Sequence, residues 1–245
     1  MKKLLKPNIF PWFTMGTGGI GLVLQVWYRA GMDEKGLLPG RHPATILSFL
    51  LTALVLATIF LCARQLRPIG KYSRLFPAGL GRAIGCFVAA AGVLYGGIYY
   101  LSGNLLGILT FIISLAATGS LVFLGILRKK GSRPPFLLHT VLTIFTMLFL
   151  VCNCRIWGAE PQIMSYFFPL FACIFLMLTA YHKTVLDVRK NGRLMLVFCS
   201  QAALFFSCLA LTGKNRFFYL TMIVWLALDL CSVSNKGKSE PSEEA

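Results

Sequence analysis

Long apolar runs separated by short polar segments follow one another along the whole chain. Each run is close to the length that a helix rising ~1.5 Å per residue needs to cross a hydrocarbon core of ~30 Å. The pattern predicts an all-α fold, a polytopic transmembrane bundle of about eight helices. The predicted spans are 9–28, 45–63, 83–101, 105–127, 136–153, 163–181, 194–211 and 217–233.

The composition agrees with a membrane protein and leaves no room for a soluble domain. Hydrophobic residues make up 57% of the 245 residues, and charged residues only 13%, whereas a soluble chain is about one quarter charged. We therefore expect a single transmembrane domain over residues 1–234. The tail 235–245, rich in Lys, Ser, Glu and Pro, is expected to be disordered and cytoplasmic.

The basic residues lie between the apolar runs and form no continuous face, so the net charge of +16 does not indicate nucleic acid. With the N-terminus inside, the inner segments hold 18 Lys and Arg and the outer segments hold 6. Positive residues concentrate on the cytoplasmic side of membrane proteins and favour contact with anionic lipid. The sequence predicts both termini in the cytoplasm, membrane lipid as a partner, and a bacterial cytoplasmic membrane as the location.

The two halves of the chain resemble each other. A proline opens the second span (Pro43) and the sixth (Pro161), and Gly103 and Gly213 mark turns at matching places. Four helices per half would make residues 9–127 and 136–233 a parallel repeat about an axis along the membrane normal. The alternative is that any eight-span chain divides into similar-looking halves.

Ionisable residues inside membrane helices are functional candidates, because burying them costs free energy. His139 lies near the start of the fifth span and Asp229 in the second half of the eighth. From His139, the residues Thr143, Thr146 and Asn153 recur on one helical face. Such a stripe either serves a site, with His139 and Asp229 as a proton pair, or hydrogen-bonds neighbouring helices.

Other polar or small residues also recur at helical spacing. Gln25 in the first span and Gln201 in the seventh complete the candidate intramembrane polar site. The first span carries a polar and small face, Thr14, Gly18, Gly21, Gln25 and Tyr28, and the fourth carries Thr110, Ser114 and Thr118. The third span has Gly81, Gly85, Ala89, Gly92 and Gly96, a spacing typical of close helix packing.

Aromatic and charged residues collect near the predicted outer ends of the helices. The candidates for an outer mouth are Trp27, Tyr28, Arg155, Trp157 and Glu160. An interfacial aromatic belt explains the same residues without a vestibule.

No catalytic or cofactor motif is present, and we predict no cofactor and no metal site. Cys152 and Cys154 flank Asn153 without a second ligand pair, so packing is their expected role. Three function classes stay open. A small transporter-like or substrate-binding protein requires the polar faces of spans one, four and five to converge on a cavity. An accessory, sensory or assembly protein has those faces packed or used by a protein partner. A lipid-modifying enzyme requires His139 and Asp229 within hydrogen-bond reach.

Overall fold

The computed structural model describes residues 9–32, 42–65, 79–101, 104–130, 135–158, 163–185 and 193–235. Within these ranges it contains eight α-helices and no strand, and 92% of the described residues are helical. The helices are α1 (Phe10–Ala30), α2 (Pro43–Arg64), α3 (Leu80–Tyr99), α4 (Leu105–Lys130), α5 (Phe136–Trp157), α6 (Ile163–Val185), α7 (Arg193–Ala210) and α8 (Arg216–Asn235). The predicted all-α class and the eight helices are confirmed.

Six of the eight helices, α2 to α7, are long and apolar enough to cross a membrane. This is the architecture of a multi-pass membrane protein. Helix α8 carries Asp229 among apolar residues. A helix shielded by its neighbours tolerates polar residues that a lipid-facing helix would not.

Helix α8 lies at the centre of the larger part of the bundle. Helices α3 to α7 pack in chain order, each against the next, and α3 and α7 also pack against α8. Side chains of α4, α5 and α6 reach α8 as well, through Arg128, Phe149 and Lys183. Helices α1 and α2 pack against each other and against α7. Below, the N face is the end of the bundle where α1, α3, α5 and α7 begin.

Small residues allow the helices to approach closely. A Cβ added to Gly92 of α3 would lie on the Oγ1 atom of Thr221 in α8, and one added to Gly97 on Oγ of Ser114 in α4. On α1, Gly18 faces Cys208 of α7. The small-residue faces predicted on the first and third spans are therefore close-packing surfaces.

The helix neighbours differ between the two halves of the chain. Helix α7 contacts α1, α2, α6 and α8, whereas α3, its counterpart in the proposed repeat, packs mainly against α4 and α8. Pro43 begins α2 as predicted, but Pro161 lies outside the described residues. The duplication stays a prediction, and the helix packing gives it no support.

Candidate functional site

A buried charged cluster at the N face is centred on Asp229 of α8. Its carboxylate accepts a hydrogen bond from Nη1 of Arg128 and another from Nζ of Lys183, each at 2.5 Å. All three side chains are at least nine-tenths buried. Asp229 is the single acidic residue within the described ranges. The cluster therefore joins α4, α6 and α8 through one carboxylate.

Helix phase and helix ends explain how the two cations arrive there. Arg128 lies in the last turn of α4 and Lys183 in the last turn of α6, where the helix dipole favours positive charge. Lys129 and Lys130 follow Arg128 directly but are exposed, because successive residues point about 100° apart around a helix. Of the three basic residues that end α4, Arg128 is the one turned into the bundle.

Two more nitrogen-bearing side chains approach the same carboxylate from the starts of α3 and α5. Arg82 and His139 are buried, and both lie within electrostatic range of Asp229. Each of the four helices α3 to α6 thus sends one basic or imidazole side chain from its N-face end toward α8. We call Arg82, Arg128, Lys183 and Asp229 the basic cluster.

Trp225, one helical turn before Asp229 on α8, forms an aromatic wall of the cluster. The Lys183 Nζ atom lies 3.7 Å from the centroid of the Trp225 ring. A cation over an indole ring is attracted by the ring quadrupole, most strongly where water is excluded. Lys183 is therefore held from two sides, by the carboxylate and by the ring.

The basic cluster was not predicted as a site. In the sequence, Arg82, Arg128 and Lys183 lie at the edges of apolar runs and count only as orientation signals. The structure places them inside helices and buries them. Each lies only one or two residues outside a predicted span, but that position is equally compatible with a loop or a headgroup contact.

His139 and Asp229 are both buried at the N face and lie within electrostatic range of each other, although they are on different helices. The other residues of the stripe on α5 have different hydrogen-bond partners. Thr143 and Thr146 donate hydrogen bonds to carbonyl oxygens of their own helix. Thr146 is buried and Thr143 partly buried, so the stripe points into protein. The observed hydrogen bonds of these two hydroxyls stay within α5.

Asn153 belongs to a second polar group, at the face opposite the N face. Its Oδ1 accepts a hydrogen bond from the Tyr100 hydroxyl at 2.6 Å, and Asn215 donates to that hydroxyl at 2.9 Å. These residues join the end of α3, the end of α5 and the start of α8. Nearby, Thr110 of α4 lies 3.2 Å from the Cys152 sulfur. Asn153 and Asp229 thus serve opposite ends of the bundle, and the predicted site residues do not form one group.

The two glutamines lie in a third region, around α1. Gln201 of α7 accepts a hydrogen bond from the Thr14 hydroxyl at 2.6 Å, and Gln25 donates to Ser48 of α2 at 3.2 Å. The polar face of α1 therefore meets α2 and α7. The polar face of α4 packs instead against α3, through Ser114 and Thr118, and against α5, through Thr110. The faces of α1 and α4 thus have different partner helices, so these contacts do not support the convergence of spans one, four and five that we required of a transporter.

The candidates for an outer mouth have separate neighbours. Tyr28 is buried, whereas Trp27 packs edge-on against His42 at 5.6 Å between ring centroids. Trp157 stacks on Tyr166 at 5.9 Å, and Arg155 is exposed. Glu160 lies outside the described residues, so its part in an outer mouth stays a prediction.

All eight cysteines are free thiols, and within the described ranges no three His, Cys, Asp or Glu side chains are grouped to hold a metal ion. The chemistry available at the N face is therefore electrostatic: two guanidinium groups, an ammonium, an imidazole and one carboxylate.

Comparison with known proteins adds no relative: no family model, curated protein or solved structure matches the chain.

Proposed function

We propose that the protein is a substrate-binding membrane protein that takes an anion at the basic cluster. One observation carries the proposal. Two cationic side chains, Arg128 and Lys183, bond to one buried carboxylate at the N face, and a third, Arg82, is buried within electrostatic range of it.

The donor capacity of the cluster supports an anionic ligand. A guanidinium group carries five N–H donors and an ammonium three, whereas a carboxylate has two oxygens to accept them. Burial of charge is costly unless the geometry supplies compensating partners. An anion placed beside Asp229 would share these donors. It would also add negative charge, of which Asp229 is the single side-chain source within the described residues.

Asp229 acts in this proposal as a tethered stand-in for the ligand. In the observed state its two oxygens each hold one cation, Arg128 or Lys183. A ligand that draws Arg128 away from the carboxylate loosens the link between α4 and α8. Binding and helix rearrangement are thereby coupled, because the ligand favours the arrangement in which Arg128 has left the carboxylate.

The distribution of basic residues along the chain indicates which side of the membrane the site faces. The N face is the side on which the 18 predicted inner Lys and Arg residues collect, so the proposal places the cluster at the cytoplasmic end. A cytosolic anion would meet a basic surface before it reached the buried cations.

An accessory or assembly protein is the second candidate, and the opposite face favours it. There Tyr100, Asn153 and Asn215 bond to one another, as residues do when their role is to hold helices together. In that case the basic cluster would be a structural ion-pair group without a ligand.

Tryptophan fluorescence distinguishes the two candidates. The chain has four tryptophans, and Trp225 is the one beneath Lys183. Purified protein in nanodiscs is titrated with a panel of anions (chloride, acetate, citrate, sulfate and inorganic phosphate). We expect at least one anion to change the emission and to raise the melting temperature. Trp225→Phe should abolish the emission change, whereas Trp12→Phe, at an exposed position, should preserve it.

Arg128→Gln supplies the matched charge test, with Lys129→Gln as its exposed neighbour. Loss of a buried charged contact should weaken binding by about tenfold or more, and the Lys129 variant should bind like the parent. If no anion of the panel changes either the emission or the melting temperature, the proposed function is wrong. That result would favour the accessory or assembly protein.

A further inference from the structure

We infer that the anion taken by the basic cluster is a divalent tetrahedral oxyanion, either inorganic phosphate or the terminal phosphate of a monoester. The inference rests on the proposed function and names its substrate class.

The first argument is competition with Asp229. Its carboxylate already neutralises one charge, and it is tethered next to Arg128 and Lys183, with a high effective concentration. A free monovalent carboxylate would form the same contacts as Asp229. It would therefore have no additional interaction to offset the translational and rotational entropy that it loses on binding. A divalent anion brings a second charge for the third cation, Arg82, which lies within range of the same point.

The second argument is the direction of the donors. The cations come from three different helices, α3, α4 and α6. A planar carboxylate presents two oxygens in one plane, whereas a phosphate presents three or four oxygens around a centre. Arginine forks match phosphate edges with two parallel hydrogen bonds, and lysine adds a point charge. Two arginines and one lysine from three helices therefore fit a tetrahedral ligand.

The third argument concerns Trp225. The Lys183 ammonium lies 3.7 Å from the centroid of the Trp225 ring, so the ammonium keeps one favourable contact when the carboxylate is exchanged for a ligand. Lys183 is thus held in place for the incoming oxyanion, which lowers the ordering cost of binding.

The charge state of the ligand is the test. In phosphatidylcholine nanodiscs, the dissociation constants of inorganic phosphate, sulfate and acetate are measured at pH 6 and pH 8 from Trp225 emission. Phosphate gains its second charge over this interval, since a phosphate group has a second pKa of ~6 to 7. We expect the affinity for phosphate to rise several-fold from pH 6 to pH 8. This rise should exceed any change in the affinity for sulfate over the same interval. Sulfate, divalent at both pH values, is the internal control for titration of the protein. Acetate should bind at least ~100-fold more weakly than sulfate.

Lipid composition separates the two sources of phosphate. Nanodiscs containing phosphatidic acid, a monoester, are compared with nanodiscs containing phosphatidylglycerol, a diester with one charge. If phosphatidic acid alone blocks the response to free phosphate, the ligand is the lipid monoester; if neither lipid does, it is a soluble phosphate. Both results support the inference, and equal block by both lipids contradicts it.

Asp229→Asn gives a readout that a structural role would not produce. Removing the tethered competitor should let acetate bind and should shrink the preference for sulfate over acetate by about tenfold or more. The variant is purified in sulfate, because the buried cations need a counter-ion to keep it folded. Two failures are distinct. If acetate binds the parent protein as well as phosphate and sulfate do, the divalent class is wrong while the anion site stands. If no anion binds either protein, the proposed function itself fails.

Discussion

At the scale of single residues, the charge of Asp229 holds the N face together. Both of its oxygens hold cations from other helices at 2.5 Å, so three helix ends depend on one carboxylate. Breaking a buried ion pair by removing one partner costs about 3–5 kcal/mol, because the other charge is left buried. Removing both partners costs less than the sum of the two single changes.

This predicts strong coupling between Arg128 and Asp229. In unfolding titrations in mixed micelles, Asp229→Asn and Arg128→Gln should each lower the free energy of unfolding by about 3 kcal/mol. The double variant should fall short of the sum by at least ~1 kcal/mol. Lys129→Gln combined with Asp229→Asn is the control pair and should be additive. Additivity in the Arg128 pair would mean that the contact contributes nothing.

At the scale of elements, glycine sets how closely α3 approaches α8. A Cβ on Gly92 would lie 1.8 Å from Oγ1 and 2.8 Å from Cβ of Thr221, so a larger residue separates the helices. Helix association in membranes relies on such close contacts, since lipid tails offer no hydrophobic advantage to one helix surface over another. The α3–α8 contact also positions Arg82 relative to Asp229, which ties the packing surface to the site.

Gly92→Ala should therefore destabilise the bundle by about 1–3 kcal/mol, the cost of overpacking. Thermal unfolding in detergent measures it. Gly119→Ala on α4 is the matched control: a Cβ there meets nothing within 4 Å, so the change should be neutral or stabilising by up to ~1 kcal/mol. Thr221→Ala should partly rescue Gly92→Ala because it removes the nearest atom. An unchanged melting temperature for Gly92→Ala would show that α3 and α8 are not in close contact.

At the scale of the whole molecule, charge is distributed unevenly along the bundle. The buried cations lie at the N face, and a neutral hydrogen-bonded group of Tyr100, Asn153 and Asn215 lies at the opposite end of α8. Asn215 and Asp229 are 14 residues apart, about 21 Å along a helix. The buried polar residues are therefore charged at the N face and neutral at the opposite end.

Accessibility of single cysteines in a cysteine-free background tests that orientation. A membrane-impermeant thiol reagent applied to intact cells should label a cysteine at position 214 and should leave one at 129 or 190 unlabelled until the membrane is opened. Position 129 lies in the last turn of α4 and position 214 in the turn before α8, whereas 190, like 35 and 71, lies outside the described residues. Labelling of 129 and 190 from opposite sides would overturn the alternation of eight spans.

The local pattern of apolar residues was enough to predict where the helices lie. Apolar length predicted all eight helices, because a helix in lipid must satisfy its own backbone and needs a fixed number of apolar residues to do so. Helical periodicity also identified the buried faces correctly at Thr14, Gly18 and Gln25 on α1, since the spacing of 3.6 residues depends on the helix alone.

What the sequence could not determine is which helices meet. The α5 stripe was expected to act as one group, yet His139 lies near the basic cluster and Asn153 belongs to a neutral group at the other end. Arg128 and Lys183 gave no sign of being buried, because position at the edge of an apolar run is compatible with a loop, a headgroup contact or a buried pair. Only tertiary packing decides among these, since it brings α4 and α6 against the carboxylate of α8 and supplies the opposite charge that makes burial of a cation tolerable.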